Sequence, residues 1–297
     1  MSGLPQAWAK YVQELEEILA QALPSAETYP QVLHDAMRYS TLGGGKRLRA
    51  LLVMGACAAV GGDVQKTGGL AAAVEMVHAY SLIHDDLPCM DDDDFRRGKP
   101  ANHVKYGEAI AVLAGDALLT EAFAELARMP EKYGVPPEVT VRIVAELAHG
   151  AGSQGMVGGQ AVDILSVDQL PDEQTLRYIH THKTGALFKA ALRGGALVGG
   201  ATAEELEAIT RYAEWFGLAF QITDDILDEV GDAQELGKPV GRDQDLGKLT
   251  YPRLYGLERS RAMAAECVQN CLDILSGFPE GAWLLRELAS FVLQRSF

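Results

Sequence analysis

Apolar positions recur three and four residues apart along nearly the whole chain, the spacing that gathers them on one stripe of a helix. That period predicts helices over residues 5–22, 29–39, 46–60, 68–86, 108–128, 137–157, 173–199, 203–229, 255–276 and 281–294. Strand-like alternation is almost absent. The connections carry turn residues and are short, as in GGDVQKTGG at 61–69, MPEKYGVPPE at 129–138 and SGFPEG at 276–281. The pattern therefore predicts an all-α architecture of about ten helices, with no solenoid repeat. Two longer polar stretches interrupt it, at 91–107 and 229–252, and each directly follows a run of aspartates. Polar loops in that position are expected to close over a site.

The aspartate runs are DDLPCMDDDD, from Asp85 to Asp94, and DDILD, from Asp224 to Asp228, each at the end of an apolar helix. Carboxylates on a segment that should be buried are costly unless a cation accompanies them. Asp224 and Asp228 are four residues apart and share a helix face, with Asp225 beside them. In the first run Pro88 stops the helix, so a bend can aim Asp85, Asp86 and Asp91 at common ions. Neither run is accompanied by ligating Cys or His pairs, which suits the hard, oxygen-seeking ion Mg²⁺ bridging carboxylates to phosphates. A calcium loop of the EF-hand kind fails: counting from Asp91, position six is Arg96 where Gly is required, and no Glu stands at position twelve. One such cluster alone is equally well a solvated face, but two on apolar flanks are not.

Composition narrows the partners. At 297 residues and 48% hydrophobic content, with no Pro/Gly/Ser-rich linker, a single all-α domain over 1–297 is expected. A net charge of −15 argues against nucleic acid and anionic membranes. The amphipathic, acidic start of the chain is unlike a secretory or transit segment, which implies a cytoplasmic protein without membrane insertion. Cys57, Cys89, Cys267 and Cys271 form neither a disulfide framework nor a zinc site and are expected as core or near-core thiols.

Three basic sets stand against this acidic background. In GGGKRLR, Gly43, Gly44 and Gly45 allow close backbone approach to an anion, and Lys46, Arg47 and Arg49 open a helix. It is not a P-loop, because Ser40 and Arg47 occupy positions that motif reserves for Gly and for Ser or Thr. Arg96 and Arg97 follow the first acidic run and offer forked guanidiniums. Lys183, Lys238 and Lys248 are scattered, each near Gly or Thr. A diphosphate among six carboxylates would be repelled by several kcal/mol unless about three divalent ions intervene. The inferred ligand has a diphosphate head, and Tyr80, Phe188, Phe216 and Phe220 suit a hydrocarbon tail. His78, Ser81 and Asp85 share one helix face that would line a polar cavity, although a histidine there, like His84, is ordinarily a hydrogen-bonded core residue.

The segments GGGKRLR, HAYSLIHDDLPCMDDDDFRRGKP, GGQAVD, HKTGALF, FQITDDILD and GKPVGRDQDLGKLTYP resemble the ordered motif set of the trans-isoprenyl diphosphate synthases, especially bacterial farnesyl diphosphate synthases. The resemblance covers roughly residues 40 to 255. It implies an all-α isoprenoid-synthase fold around a deep central cavity, a homodimer, and Mg²⁺-dependent condensation of isopentenyl diphosphate with allylic diphosphates. By this resemblance Asp85, Asp86, Asp91, Asp224, Asp225 and Asp228 bind the Mg²⁺ cluster, and Arg96, Lys183 and Lys238 contact the allylic diphosphate. Lys46, Arg49, His78 and Arg97, with the backbone of Gly45, match the isopentenyl diphosphate pocket. Thr184 and Gln221 match polar groups beside the developing allylic cation, with Gln160 close by. Tyr80 and Ser81 lie five and four residues before Asp85, about 6–8 Å deeper along a helix, so Tyr80 is expected to be the floor that stops the growing tail. This points to a farnesyl product, with geranylgeranyl diphosphate as the alternative. A class I terpene cyclase has no need of the second diphosphate pocket, and a non-catalytic partner subunit would be expected to have lost one acidic motif.

Overall fold

The computed structural model describes residues 6–166, 172–230 and 250–294. The helical period reads through into α1 (Gln6–Ala22), α2 (Gln31–Thr41), α3 (Leu48–Ala59) and α4 (Gly68–Asp85). Next come α5 (Asn102–Tyr106), α6 (Glu108–Ala127), α7 (Met129–Tyr133), α8 (Pro137–Ala151) and α9 (Met156–Leu165). The chain continues through α10 (Glu173–Ile179), α11 (Ala186–Val198), α12 (Ala203–Val230), α13 (Tyr251–Tyr255), α14 (Leu257–Leu275) and α15 (Trp283–Gln294).

Three local features depart from the periodicity. The helix expected over 137–157 is broken between α8 and α9, where the two glycines Gly152 and Gly155, the poorest helix formers after proline, stand three residues apart. The run expected over 173–199 is interrupted by a π-helical turn, His180–Gly185, between α10 and α11. The polar stretch 91–107 is not simply a loop: β1 (Phe95–Arg96) and β2 (Lys99–Pro100) form a small antiparallel hairpin, followed by α5. Its two-residue turn has positive φ at both Arg97 (54°) and Gly98 (71°), the conformation that matches the twist of the flanking strands.

The chain divides into two compact units, residues 1–51 with 65–144 and residues 52–64 with 145–297, the division falling inside α3 and α8. In the first, α4 is buried along nearly its whole length and packs chiefly on α6, whose Ala111, Ala114, Leu118 and Ala122 are buried. A helix apolar all round belongs in an interior. Its one buried acid, Glu75, accepts from the Ala50 amide at 3.2 Å and lies 3.4 Å from Arg47, which also bonds Glu16 (2.7 Å) and the Thr41 carbonyl (2.8 Å). Arg47, grouped in sequence with the anion-binding residues, is thus occupied in a buried ion network, and its left-handed φ of 52° turns it inward.

In the second unit, α12 packs on α11 and α14. Thr202 and Glu205 cap its start reciprocally: the Glu205 amide donates to Thr202 Oγ1 (3.2 Å) and the Thr202 amide to Glu205 Oε2 (2.8 Å). Tyr212, Phe188 and Phe216 are fully buried, and Phe188 meets Phe216 edge-on at 5.3 Å between centroids. Phe188 and Phe216 are therefore core, and of this aromatic set Phe220 alone keeps partial exposure. Cys57, Cys267 and Cys271 are buried as expected, but Cys89 is exposed, carried outward by the turn after Pro88. Among the described residues no helix is long and apolar enough to cross a membrane.

Candidate active site

α4 ends at Asp85, and the chain then folds back on itself. The Asp91 amide donates to the Asp85 carbonyl (2.8 Å), the Asp93 amide to that of Asp86 (3.1 Å) and the Asp92 amide to that of Leu87 (3.1 Å). The turn brings Asp91 back beside Asp85, as the proline-induced bend requires, with Asp92 in left-handed backbone (φ 53°). Asp86 is buried, and its carboxylate is bound by both the Nε and Nη2 of Arg96, with Nε to Oδ1 at 3.0 Å. Burial is the largest influence on Asp86 and lifts its carboxyl above the ordinary range against the pull of Arg96, while Asp91 adds to the lift. Burial also depresses Arg96, but its bond to Asp86 and the charges of Asp86, Asp85 and Asp91 outweigh this and hold it fully cationic.

Arg97 reaches back to the glycine run and donates to the Gly44 carbonyl. Gly44 (φ 92°) and Gly45 (φ 131°) both need the freedom of glycine, and a Cβ on Gly45 would sit 2.9 Å from the Arg97 guanidinium carbon. Lys46 and Gly45 are exposed and Arg49 is half-buried. His78, on α4, is held well below the ordinary imidazole value, first by burial and then by the charges of Arg49, Arg97, Arg96 and Arg47. A neutral imidazole adds no further positive charge to guanidiniums of which Arg47 and Arg96 are already paired with carboxylates. A small cleft of about 40 Å³ lined by Gly43, Asp86, Arg96, Arg97 and Lys99 opens beside it. The structure thus gathers His78, Arg49, Arg96 and Arg97 in one electrostatic neighbourhood.

Tyr80 is buried and its ring meets His84 edge-on at 5.7 Å. His84 is a structural histidine: its Nε2 lies 3.1 Å from the Val112 carbonyl, and it packs so tightly on Gly115 that no side chain fits there. Ser81 donates to the His78 carbonyl at 3.0 Å.

In the second unit Asp224 is half-buried and Asp228 buried, one turn apart on α12. Asp225 is turned elsewhere. Its Oδ2 accepts from the Tyr251 amide (2.8 Å) and its Oδ1 lies 3.8 Å from His180 Nε2. Burial drops the His180 imidazole to about 4, so that contact is with a neutral ring. Lys183 and Thr184 sit in the π-helical turn, a local widening often found at functional sites. Lys183 Nζ lies 2.6 Å from Asp163 Oδ2 on α9, and the backbones touch at Gly159, where any Cβ would strike the Lys183 amide. Both amide atoms of Gln160 are buried without a hydrogen-bond partner among the described residues, as is the Thr223 hydroxyl. Such orphans call for an external partner. Gln221 is half-buried, and Lys238 and Lys248 lie outside the described residues, as does most of the stretch 229–252.

Three contributors escaped sequence reasoning. Asp163 holds Lys183, and its signal was present in the GGQAVD segment. The buried pairing of Asp86 with Arg96, and His180 beside Asp225, had no separate signature. Among the described residues no three or more His, Cys, Asp or Glu side chains are gathered to hold one ion. Mg²⁺ requires only one or two carboxylates when phosphate and water complete its shell. The all-oxygen chemistry of Asp85 with Asp91, and of Asp224 with Asp228, fits that ion.

A protein-family model described as polyprenyl synthetase matches residues 30–276. Geranylgeranyl pyrophosphate synthase 11, chloroplastic, of Arabidopsis thaliana is 50% identical over 270 residues, covering 90% of this chain and 75% of the relative. A dimethylallyltranstransferase of Fischerella ambigua is 43% identical over 295 residues, covering 99% of this chain and 84% of the relative. Among solved structures, an FPP/GFPP synthase of Zymomonas mobilis superposes with a TM-score of 0.86 at 39% identity, covering 97% of each chain. With the motifs, the helical architecture and these likenesses in agreement, the chain belongs to the polyprenyl synthetase family and is a trans-prenyltransferase.

Proposed function

We propose that the enzyme condenses isopentenyl diphosphate with dimethylallyl and then geranyl diphosphate to give farnesyl diphosphate. The observation that carries this reading is the form of the two acidic runs: after α4 the Asp91 amide bonds the Asp85 carbonyl and Asp86 holds Arg96, and on α12 Asp224 and Asp228 stand one turn apart. Asp85, Asp91, Asp224 and Asp228 would hold Mg²⁺, about three ions by the charge argument, while Asp86 holds the Arg96 guanidinium and Asp225 the Tyr251 amide. When bound, the ions neutralise the leaving diphosphate and so ease breakage of the carbon–oxygen bond. Arg96, Lys183 and Lys238 grip its oxygens; the five-donor fork of Arg96 can serve Asp86 and a phosphate together. Lys46, Arg49, Arg97, His78 and the Gly45 backbone hold isopentenyl diphosphate. The Thr184, Gln221 and Gln160 dipoles face the allylic cation, and the orphaned Gln160 amide supports that role. The isopentenyl double bond attacks, and the departing diphosphate takes the proton.

Buried Tyr80 supports a floor at the farnesyl length. A geranylgeranyl product is the second reading, favoured by relatives with that name at 49–50% identity. The family match runs through both compact units, which supports one synthase domain. Exposed Val112 and Leu113 on α6 and Val141 on α8 support a homodimer.

The test is incubation with isopentenyl diphosphate, each allylic diphosphate in turn and Mg²⁺, followed by product sizing. A fifteen-carbon product is expected. A twenty-carbon product replaces the first reading by the second, and no turnover with any starter refutes both.

A further inference from the structure

A groove of about 480 Å³ in the second unit is lined by none of the residues assigned above to prenyl transfer. Its size is within the range of small-molecule sites, about 300–1,000 Å³. Arg177 on α10, Lys189 on α11 and Arg211 on α12 bring three cations to its walls, against one carboxylate, Glu214. Glu214 lies 3.0 Å from Lys189, whereas Arg177 and Arg211 make no ion pair among the described residues. Two guanidiniums without an ion pair among the described residues thus stand beside one cavity, in a chain of net charge −15.

The rest of the lining combines the polar Thr181 and His180 with Trp215, Leu218 and two glycines. Trp215 is 37% exposed, unlike Trp8, which is fully buried, and Leu218 stands one turn from it on the same face of α12. Beside the groove α12 and the π-helical turn approach closely through glycines: a Cβ on Gly217 would already lie 3.2 Å from the Gly185 Cα. His180 also lines it, with its Nδ1 buried and without a hydrogen-bond partner among the described residues.

We infer that this groove is a second ligand site, taking a small amphipathic anion: a hydrocarbon carrying a phosphate or carboxylate head. The head sits on Arg177 and Arg211 and the hydrocarbon lies along Trp215 and Leu218. The site goes beyond the proposed catalytic function and does not depend on it.

Trp215 supplies its own reporter. Decyl phosphate, titrated below its micellar concentration with neither Mg²⁺ nor isoprenoid present, is expected to change tryptophan emission saturably. The change should vanish in Trp215→Phe, leaving the signals of Trp8 and Trp283. Affinity should fall at least tenfold in Arg211→Glu and in Arg177→Glu; both residues are exposed, so both variants fold, as circular dichroism would confirm. Inorganic phosphate and decanol should each bind at least tenfold more weakly than decyl phosphate, because each lacks one half of the ligand. Asp224→Ala should leave the titration unchanged. The inference is overturned if both arginine variants bind as wild type, if Trp215→Phe keeps the full signal, or if Asp224→Ala abolishes binding and so moves it to the catalytic cluster. It is equally overturned if phosphate or decanol alone matches decyl phosphate. Since no turnover is measured, failure here leaves the prenyl-transfer reading intact, and failure of that reading leaves this site standing.

Discussion

The two acidic clusters solve one problem by opposite backbone means. At the end of α4 the helix stops, and a chain of backbone hydrogen bonds folds Asp91 back onto Asp85. In α12 the helix continues through the cluster, and the i, i+4 period alone puts Asp224 and Asp228 on one face. Each cluster nevertheless commits its second aspartate to protein: Asp86 to the Arg96 guanidinium, Asp225 to the Tyr251 amide. Adjacent aspartates are therefore not equivalent. In each pair the first is half-buried and the second is buried and anchors the segment that follows.

That inequality can be broken most forcefully by comparing neighbours. Asp224→Ala is expected to lower kcat/KM for prenyl transfer by at least about a thousandfold, some 4 kcal/mol, with a raised Mg²⁺ requirement and little change in melting temperature. Asp85→Ala should behave alike. If both clusters serve one reaction, the Asp85→Ala/Asp224→Ala double variant should lose little more than either single one. Additive losses would separate the clusters.

Asp225→Ala should invert the pattern. It leaves the Tyr251 amide without its acceptor and should destabilise the fold by about 1–3 kcal/mol, read by chemical denaturation. A stable Asp225→Ala variant with a changed Mg²⁺ requirement would refute its anchoring role.

His78 sharpens the comparison through pH. Its imidazole is depressed in the fold, so the unfolded chain binds the extra proton below about 6.5. Stability from this group is fully present above the ordinary imidazole value and is lost as pH falls below it, by up to about 1.4 kcal/mol per pH unit. His78→Gln should flatten stability against pH in that window; an unaltered slope would show that the basic neighbourhood does not act on this ring. The smallest effect is expected at Tyr80, where truncation to alanine should lengthen the product with only a modest change in rate. Unchanged chain length by chromatography would remove Tyr80 as the floor.

Most of the fold could be read from the chain because helix period is local: the apolar stripe and the turn residues that end it lie within a few residues of each other. The misread places are those where tertiary contacts override local preference. Gly159 presses on the Lys183 amide where the π-helical turn departs from the regular helix. Phe188 and Phe216, equally eligible for a ligand cavity by sequence, fill the core because they pack on each other.

By itself the sequence determined the helical class, the order of the motifs and the chemistry on offer, since periodicity and residue type are properties of the chain alone. Tertiary structure decided which charges are spent within the protein and which face outward. Arg47 went to Glu16 and Glu75, Arg96 to Asp86, and Lys183 to Asp163. The physical reason is that the fate of a charge depends on burial and on partners distant in sequence, and only folding brings these together.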